Sequence, residues 1–169
     1  MLAALNNLNI LSGDIGNAYL NAPCAEKVHV TVGPELFGAS NQGKTAVIVR
    51  ALYGLKSASS SWRSHLCNTI IDVLGYKASK GDPDVFMKRE VRDDKTEYYS
   101  YLVIYVDDIL CVHEHPKRIM DKLGSVYCLK NGSVEKPERY LGIDIKSWTI
   151  EGEDSIMTEC YAMSCKSYI

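Results

Sequence analysis

Two neighbouring carboxylates, Asp107 and Asp108, sit in the middle of a β-rich run, Tyr98-Tyr99-Ser100-Tyr101-Leu102-Val103-Ile104-Tyr105-Val106-Asp107-Asp108-Ile109-Leu110-Cys111-Val112. β-Branched and aromatic residues on both flanks predict two strands joined by a tight turn, with both acids pushed out at its tip. Adjacent like charges repel, and a turn that needed only polarity would more often use Asn-Gly or Asp-Gly. A divalent cation would relieve that repulsion. Paired hard oxygen ligands suit Mg²⁺, which takes one or two carboxylates and leaves its other positions to water and substrate phosphates. The competing reading is a solvated Asp-Asp turn, and the dipeptide by itself does not separate the two.

Other chemistry-bearing clusters are weaker. Cys111-x-His113-x-His115 places three metal-capable side chains on one strand face, but alternate residues of an extended strand stand about 6–7 Å apart, too wide for adjacent zinc ligands without a bend. No Gly-x-Ser-x-Gly block occurs, and the serine-rich run from Ser57 to Ser61 reads as a helix start. The six cysteines, Cys24, Cys67, Cys111, Cys128, Cys160 and Cys165, show no repeated close pair. They argue against a zinc ribbon and a secreted disulfide framework and are expected to be mostly buried thiols.

The elements that must position the two acids follow from the chain in order. Leu2 to Asn7 suggests a short helical turn before apolar alternation at Leu8, Ile10 and Leu11, a strand that would end at Asp14. Ile15 to Ala22 reads as a turn into a short helical segment stopped by Pro23. Val28 to Val32 alternates as a strand broken by Gly33-Pro34, and Ala46 to Val49 is a second one. The clearest helix carries Ala58, Trp62, Leu66, Ile70 and Leu74 at every fourth position, with serines able to cap its start and Gly75 suited to its end. Asp84 to Lys88 reads as a strand and the charged tract Arg89 to Glu97 as a loop. Pro116 opens a helix with Ile119, Met120 and Leu123, closed by Gly124. Arg139 to Lys146 and Ser155 to Thr158 complete the strands. Two main helices against a mostly antiparallel sheet predict an α+β layer architecture.

With 169 residues, 46% hydrophobic and 24% charged, the chain fits one globular domain with a real core. Its net charge of −2 gives no whole-domain basic signature, so any nucleic-acid contact is expected to be local or shared with missing parts. No apolar run approaches a membrane span, and the first residues lack the pattern of a signal peptide, so the expectation is an intracellular chain, cytoplasmic or nuclear, with no membrane partner.

Four ordered blocks, Asp14-Ile15-Gly16-Asn17-Ala18-Tyr19-Leu20-Asn21, Arg50-Ala51-Leu52-Tyr53-Gly54-Leu55-Lys56-Ser57-Ala58, Tyr105-Val106-Asp107-Asp108 and Tyr140-Leu141-Gly142-Ile143, resemble the reverse transcriptases of copia-type retrotransposons. The resemblance runs from about Leu8 to the region of Ile145. It implies the palm subdomain of an RNA- and DNA-templated DNA polymerase, a single domain over residues 1–169, acting on a primed RNA or DNA template and deoxynucleoside triphosphates. By this resemblance the catalytic acids fall on Asp14, Asp107 and Asp108. These acids, with the backbone carbonyl of Ile15, would hold two Mg²⁺ ions, for which Mn²⁺ can substitute. Tyr19 would lie under the sugar of the incoming nucleotide and disfavour a ribose 2′-hydroxyl, Tyr53 and Gly54 would border nucleotide and template, Leu141-Gly142 would hold the primer, and Lys130 would be a proton donor to pyrophosphate. The bare-residue alternatives are a core tyrosine at Tyr19, a strand-to-helix turn at Tyr53-Gly54 and a solvated surface lysine at Lys130.

The sequence departs from the family at Ser57-Ala58-Ser59, where Gln-Ala-Pro is usual, which bears on template positioning. The fingers, thumb and ribonuclease H regions of the resembling family are expected to be absent, supplied by other segments of a retroelement polyprotein, and the isolated chain is expected to bind primer-template weakly and extend it poorly. A non-catalytic remnant of a decayed element, with weak nucleic-acid affinity, is the alternative class.

Overall fold

The computed structural model describes residues 2–151 and 157–166. In chain order these form α1 (Leu2–Leu5), β1 (Asn9–Asp14), a 3-10 turn (Ala18–Asn21), β2 (His29–Thr31), α2 (Pro34–Phe37), a second 3-10 turn (Ala39–Asn41), β3 (Thr45–Val47), α3 (Ala58–Asp72), β4 (Lys77–Ala78), β5 (Val85–Val91), β6 (Glu97–Tyr105), β7 (Asp108–His113), α4 (Pro116–Gly124), β8 (Arg139–Tyr140), β9 (Ile143–Glu151) and β10 (Met157–Ser164). The class is α+β with antiparallel sheets, as expected from the pattern of elements. The backbone divides into two compact units, residues 17–69 and the remainder.

The larger unit is built on a five-stranded sheet in the order β1-β7-β6-β5-β4, every neighbouring pair antiparallel. Alternation along β6 is sharp: Tyr98, Ser100, Leu102 and Ile104 are buried while Tyr99 and Tyr105 are half exposed. Cross-strand pairing aligns Leu102 with Phe86 and Cys111, and Ile104 with Ile109, so one face of the sheet is a continuous apolar layer. The helix α4 turns its buried stripe, Ile119, Met120 and Leu123, toward β1 and β7. Ser100 is the polar exception in that layer, and its hydroxyl is satisfied by donating to the Tyr76 hydroxyl at 2.9 Å. At the far end of β1, Ala3, Leu8 and Tyr98 form a second cluster, with Ile10, Val112 and Tyr161 packed against it.

Several elements differ from expectation for identifiable reasons. The charged tract after Lys88 is strand, not loop, as far as Val91, and β6 begins at Glu97. Arg89 pairs with Glu97 across the ladder, so charges in the tract stabilise the pairing that their polarity seemed to oppose. The turn closes between Arg92 and Thr96, with the Asp94 carboxylate accepting from the Thr96 N–H at 2.8 Å. The run Arg139 to Lys146 is not one strand but a hairpin, because Leu141 and Gly142 both take positive φ, 48° and 79°, and reverse the chain. Strand β4 carries too short a pattern to predict. Of the final strand expected near Ser155, Ser155 and Ile156 lie outside the described residues. Cys111 is the one buried cysteine, with its thiol pushed up to about 12 by burial, and Cys128 and Cys165 are exposed.

In the smaller unit β2 and β3 form a short antiparallel hairpin. The start of α3 is held by Glu26, whose Oε1 accepts from both the N–H and the hydroxyl of Ser57 at 2.7 and 2.6 Å. Ser57 therefore does not cap the helix with its own side chain as expected. These hydrogen bonds hold the Glu26 carboxyl below its ordinary value. The end of α3 is sharp: Gly75, at φ 75°, and Tyr76 donate back to the carbonyls of Ile71 and Ile70.

A core histidine links folding to pH. His113 is buried; its Nδ1 accepts from the His115 N–H at 2.7 Å, which leaves the proton on Nε2, 3.4 Å from the Tyr98 hydroxyl. Burial holds it below its ordinary 6.5, against the opposing charge of Glu90. A folded-state value below the unfolded one means the unfolded chain binds the extra proton, so stability falls as pH drops below about 6.5. Urea unfolding at pH 7.5 and about pH 5 is expected to show a loss in the parent that is smaller in His113→Gln; equal losses would assign the effect to other groups.

Candidate active site

Antiparallel register makes the site. Strand β1 pairs with β7 so that the Cα of Asp14 stands opposite that of Asp108, and Asp108 also stands opposite Tyr105 on β6. Directly opposed residues share a sheet face, and this is the face turned away from Ile109 and the apolar layer. Only Val106 and Asp107 lie between β6 and β7, so the hairpin tip is Val106-Asp107 and Asp108 is the first residue of a strand. The expectation that both acids sit at the tip is therefore corrected: one is in the turn and one in the ladder. Ile15 ties the two parts together, its N–H donating to the Asp107 carbonyl at 2.9 Å.

The outer edge of β1 is covered by residues 128–135. Gly16 donates to the Cys128 carbonyl, Lys130 to the Asp14 carbonyl, and Ser12 and Glu135 exchange backbone bonds, all at 2.8–3.2 Å. A Cβ on Gly16 would lie 3.2 Å from the Cys128 carbonyl oxygen, so this close approach favours glycine. The arrangement leaves Ile15 between two ladder bonds, paired with Leu129, with its own N–H turned the other way, toward the hairpin tip. A Lys130-to-Ser133 turn, with Gly132 at φ 73°, then aims the Ser133 hydroxyl at the Asp14 N–H, 3.2 Å away.

Electrostatics at this point are unbalanced. The Lys130 ammonium sits 2.6 Å from Asp14 Oδ2 and 4.0 Å from Asp107 Oδ2. Lys130 thus reaches two of the three carboxylates. Burial, followed by the charges of Asp107 and Asp14, raises the Asp108 carboxyl above its ordinary value in spite of Lys130. Two buried side-chain oxygens among the described residues have no hydrogen-bond partner, Asp14 Oδ1 and the Tyr140 hydroxyl. Burial and the Asp108 charge both push the Tyr140 hydroxyl up, which places it in the field of the same acids.

Among the described residues no group of three or more His, Cys, Asp or Glu side chains is gathered tightly enough to hold a metal ion. The Cys111-x-His113-x-His115 run is not gathered either. The chemistry of the acidic set nevertheless fits a hard divalent cation: its donors are carboxylate oxygens, one of them buried and unsatisfied, and their charge exceeds the single ammonium.

The remaining expected residues fall in two places. Leu141-Gly142 forms the tight β8–β9 turn, immediately after Tyr140. Tyr19 and Tyr53 lie in the smaller unit with ring centroids 4.4 Å apart; Tyr19 is half-buried, Tyr53 exposed, and Gly54 follows at φ 95°. Sequence reasoning missed Ser133, Tyr140 and Val106 as parts of the site. The Asn131-Gly132 dipeptide marks the turn that presents Ser133, and Tyr140 and Val106 each lie in a block already singled out, though a valine gives no sign of positive φ.

An antiparallel α+β fold that opposes acids from β1 and β7 is accompanied by sequence similarity over the same elements. Residues 1–163 match the family described as reverse transcriptase (RNA-dependent DNA polymerase), and the chain belongs to that family. Within it the similarity is to copia-type retrotransposons. The chain is 27% identical over 135 residues to a Saccharomyces cerevisiae protein ascribed to transposon Ty5-1, covering 78% of this chain and 41% of that protein. It is 29% identical over 153 residues to the transposon Ty1-BL Gag-Pol polyprotein of the same yeast, covering 86% and 8%. A retrovirus-related Pol polyprotein from transposon RE1 of Arabidopsis thaliana is 26% identical over 136 residues, 79% of this chain and 9% of the polyprotein. The matched segment thus spans less than half of each of these relatives.

The hairpin tip carries strain. Val106 has φ 55°, a left-handed conformation that costs an L-residue roughly 1–2 kcal/mol and suits a β-branched one least. Val106→Gly removes that cost and adds about 0.5–1 kcal/mol of lost backbone freedom. The expected net effect is a stabilisation of up to about 1 kcal/mol in urea unfolding; a loss of stability would show that the valine side chain packs for more than its backbone strain.

Proposed function

We propose that the chain is the palm of an RNA-directed DNA polymerase, transferring deoxynucleotides to a primer 3′-hydroxyl on an RNA or DNA template. The observation that carries this reading is the opposition of Asp14 and Asp108 across β1 and β7 with Asp107 in the adjoining turn, all short of positive charge. Acids from two strands far apart in sequence share one sheet face, the kind of arrangement a two-metal polymerase centre uses. The family resemblance and the half-open, tyrosine-bearing sheet face beside the acids support the same conclusion.

In this reading Asp14, Asp107 and Asp108, with the Ile15 carbonyl, hold Mg²⁺, or Mn²⁺ in its place. When bound, the ions supply the positive charge that activates the primer hydroxyl and stabilises the departing pyrophosphate. The protein's own part is positional. The ladder fixes Asp14 against Asp108, the Ile15 N–H fixes the turn that carries Asp107, and Ser133 and the Lys130 N–H fix the backbone of Asp14. Leu141-Gly142 supports the primer strand. Tyr19, its ring braced by Tyr53, meets the sugar of the incoming nucleotide, with Gly54 allowing close backbone approach. Other segments of a retroelement polyprotein complete the grip on template and triphosphate, and the work is done in cytoplasm or nucleus. Among the described residues no helix is long and apolar enough to cross a membrane.

A non-catalytic remnant with weak nucleic-acid affinity draws on a different observation, the absence of a gathered metal cluster among the described residues. Primer extension on poly(rA)/oligo(dT) with Mg²⁺ or Mn²⁺ separates the two readings, using the chain alone and fused to fingers and thumb segments of a related element. In the active form Asp14→Asn and Asp107→Asn are each expected to cut extension by on the order of a hundredfold or more while the circular dichroism spectrum is unchanged; full activity in either variant would place the chemistry elsewhere. Tyr19→Val is expected to raise ribonucleotide incorporation relative to deoxyribonucleotide by roughly an order of magnitude. Unchanged sugar discrimination would return Tyr19 to a packing role against Tyr53.

A further inference from the structure

We infer that Lys130 is a tethered counterion of the acidic site: its ammonium occupies the place between Asp14 and Asp107 that a divalent cation takes, and must be displaced for the cation to bind. The inference rests on the assignment of these acids as metal ligands and adds a residue that opposes loading. It follows from contact geometry. Nζ lies at hydrogen-bond distance from Asp14 Oδ2 and within ion-pair distance of Asp107 Oδ2, so one ammonium spans the two carboxylates that come from different parts of the chain. A divalent ion on those oxygens would stand within a few ångströms of a like charge, which the half-dry site screens poorly.

The surroundings allow displacement without unfolding. The Lys130 backbone is held independently of its side chain, by its N–H on the Asp14 carbonyl and its own carbonyl on the Ser133 N–H. Its side chain is half exposed, and a flexible four-carbon stem lets the ammonium swing into water. The other partners of the acids stay in place during that swing: the Ser133 hydroxyl binds the Asp14 N–H, and Asp107 is held through its carbonyl. Asp14 Oδ1 remains buried and unsatisfied even with the lysine bound, so the ammonium only partly meets the needs of this carboxylate. A lysine in this position keeps the three acids from repelling the hairpin tip away from β1 until a stronger cation arrives.

Mn²⁺ uptake by the full chain, read from the electron paramagnetic resonance signal of the free ion, tests this without reference to polymerisation. Lys130→Met and Lys130→Gln are expected to bind Mn²⁺ roughly two- to fivefold more tightly than the parent, the range set by losing one ammonium from a half-exposed charge pair. Lys130→Arg, which keeps the charge, should bind like the parent, and Asp14→Asn should lose the site. In metal-free buffer the neutral variants should melt at lower temperature than the parent, and Mn²⁺ should raise their melting temperature by more than it raises the parent's. Equal or weaker Mn²⁺ binding in both neutral variants, with Asp14→Asn still abolishing it, would overturn the counterion role and leave the metal assignment standing. No uptake by the parent or the neutral variants would remove the metal assignment and this inference with it.

Discussion

A ladder of backbone hydrogen bonds forces together charges that would otherwise separate. Asp14 and Asp108 are opposed because β1 and β7 are paired in one register, and that register is fixed by the apolar layer on the other side of the sheet, where Ile109, Cys111 and Leu102 must meet α4 and their neighbours. A slip of one residue would turn the acids inward and the apolar side chains out. The burial that stabilises one face thus compels the electrostatic tension on the other. Asp108 records that tension in a carboxyl raised by burial and by the two acids beside it.

Everything near the site manages this constraint. Residues 128–135 cover the open edge of β1 and bring the Lys130 ammonium to two of the acids. The hairpin tip accepts an unfavourable Val106 conformation, which leaves Asp107 within reach of that ammonium. Backbone strain, an unsatisfied carboxylate oxygen and a buried tyrosine hydroxyl without a partner all occur on the acidic side of the large unit, whereas the apolar layer behind it satisfies even its serine.

How far these features were legible depends on the range of the interactions that create them. The α3 and α4 helices, β1 and the β6–β7 pairing could be read because each rests on periodicity within one segment: Trp62 to Leu74 at helical spacing, Pro116 and Gly124 as bounds, Tyr98 to Ile104 alternating. Arg89 to Val91 was misread because its charges find partners only across the ladder, at Glu97 in the next strand. The Arg139 to Lys146 run hid a hairpin because Leu141 gives no sign, as a leucine, that it will adopt positive φ; only the glycine after it does. The acids themselves were found, but Asp108's place in the ladder and Lys130's position on Asp14 were not, since both depend on contacts between segments that no local pattern encodes.

The hold of Glu26 on Ser57 has a consequence for the charge at the start of α3. A helix amino-terminus, with free N–H groups and the positive end of the helix dipole, is a ready anion seat. At α3 an internal carboxylate already sits there, taking the N–H and the hydroxyl of the residue that opens the helix. The chain thus sets its own carboxylate beside the first turn of α3, where the positive end of the helix dipole favours negative charge, and Ser57 supplies the hydroxyl that completes the contact.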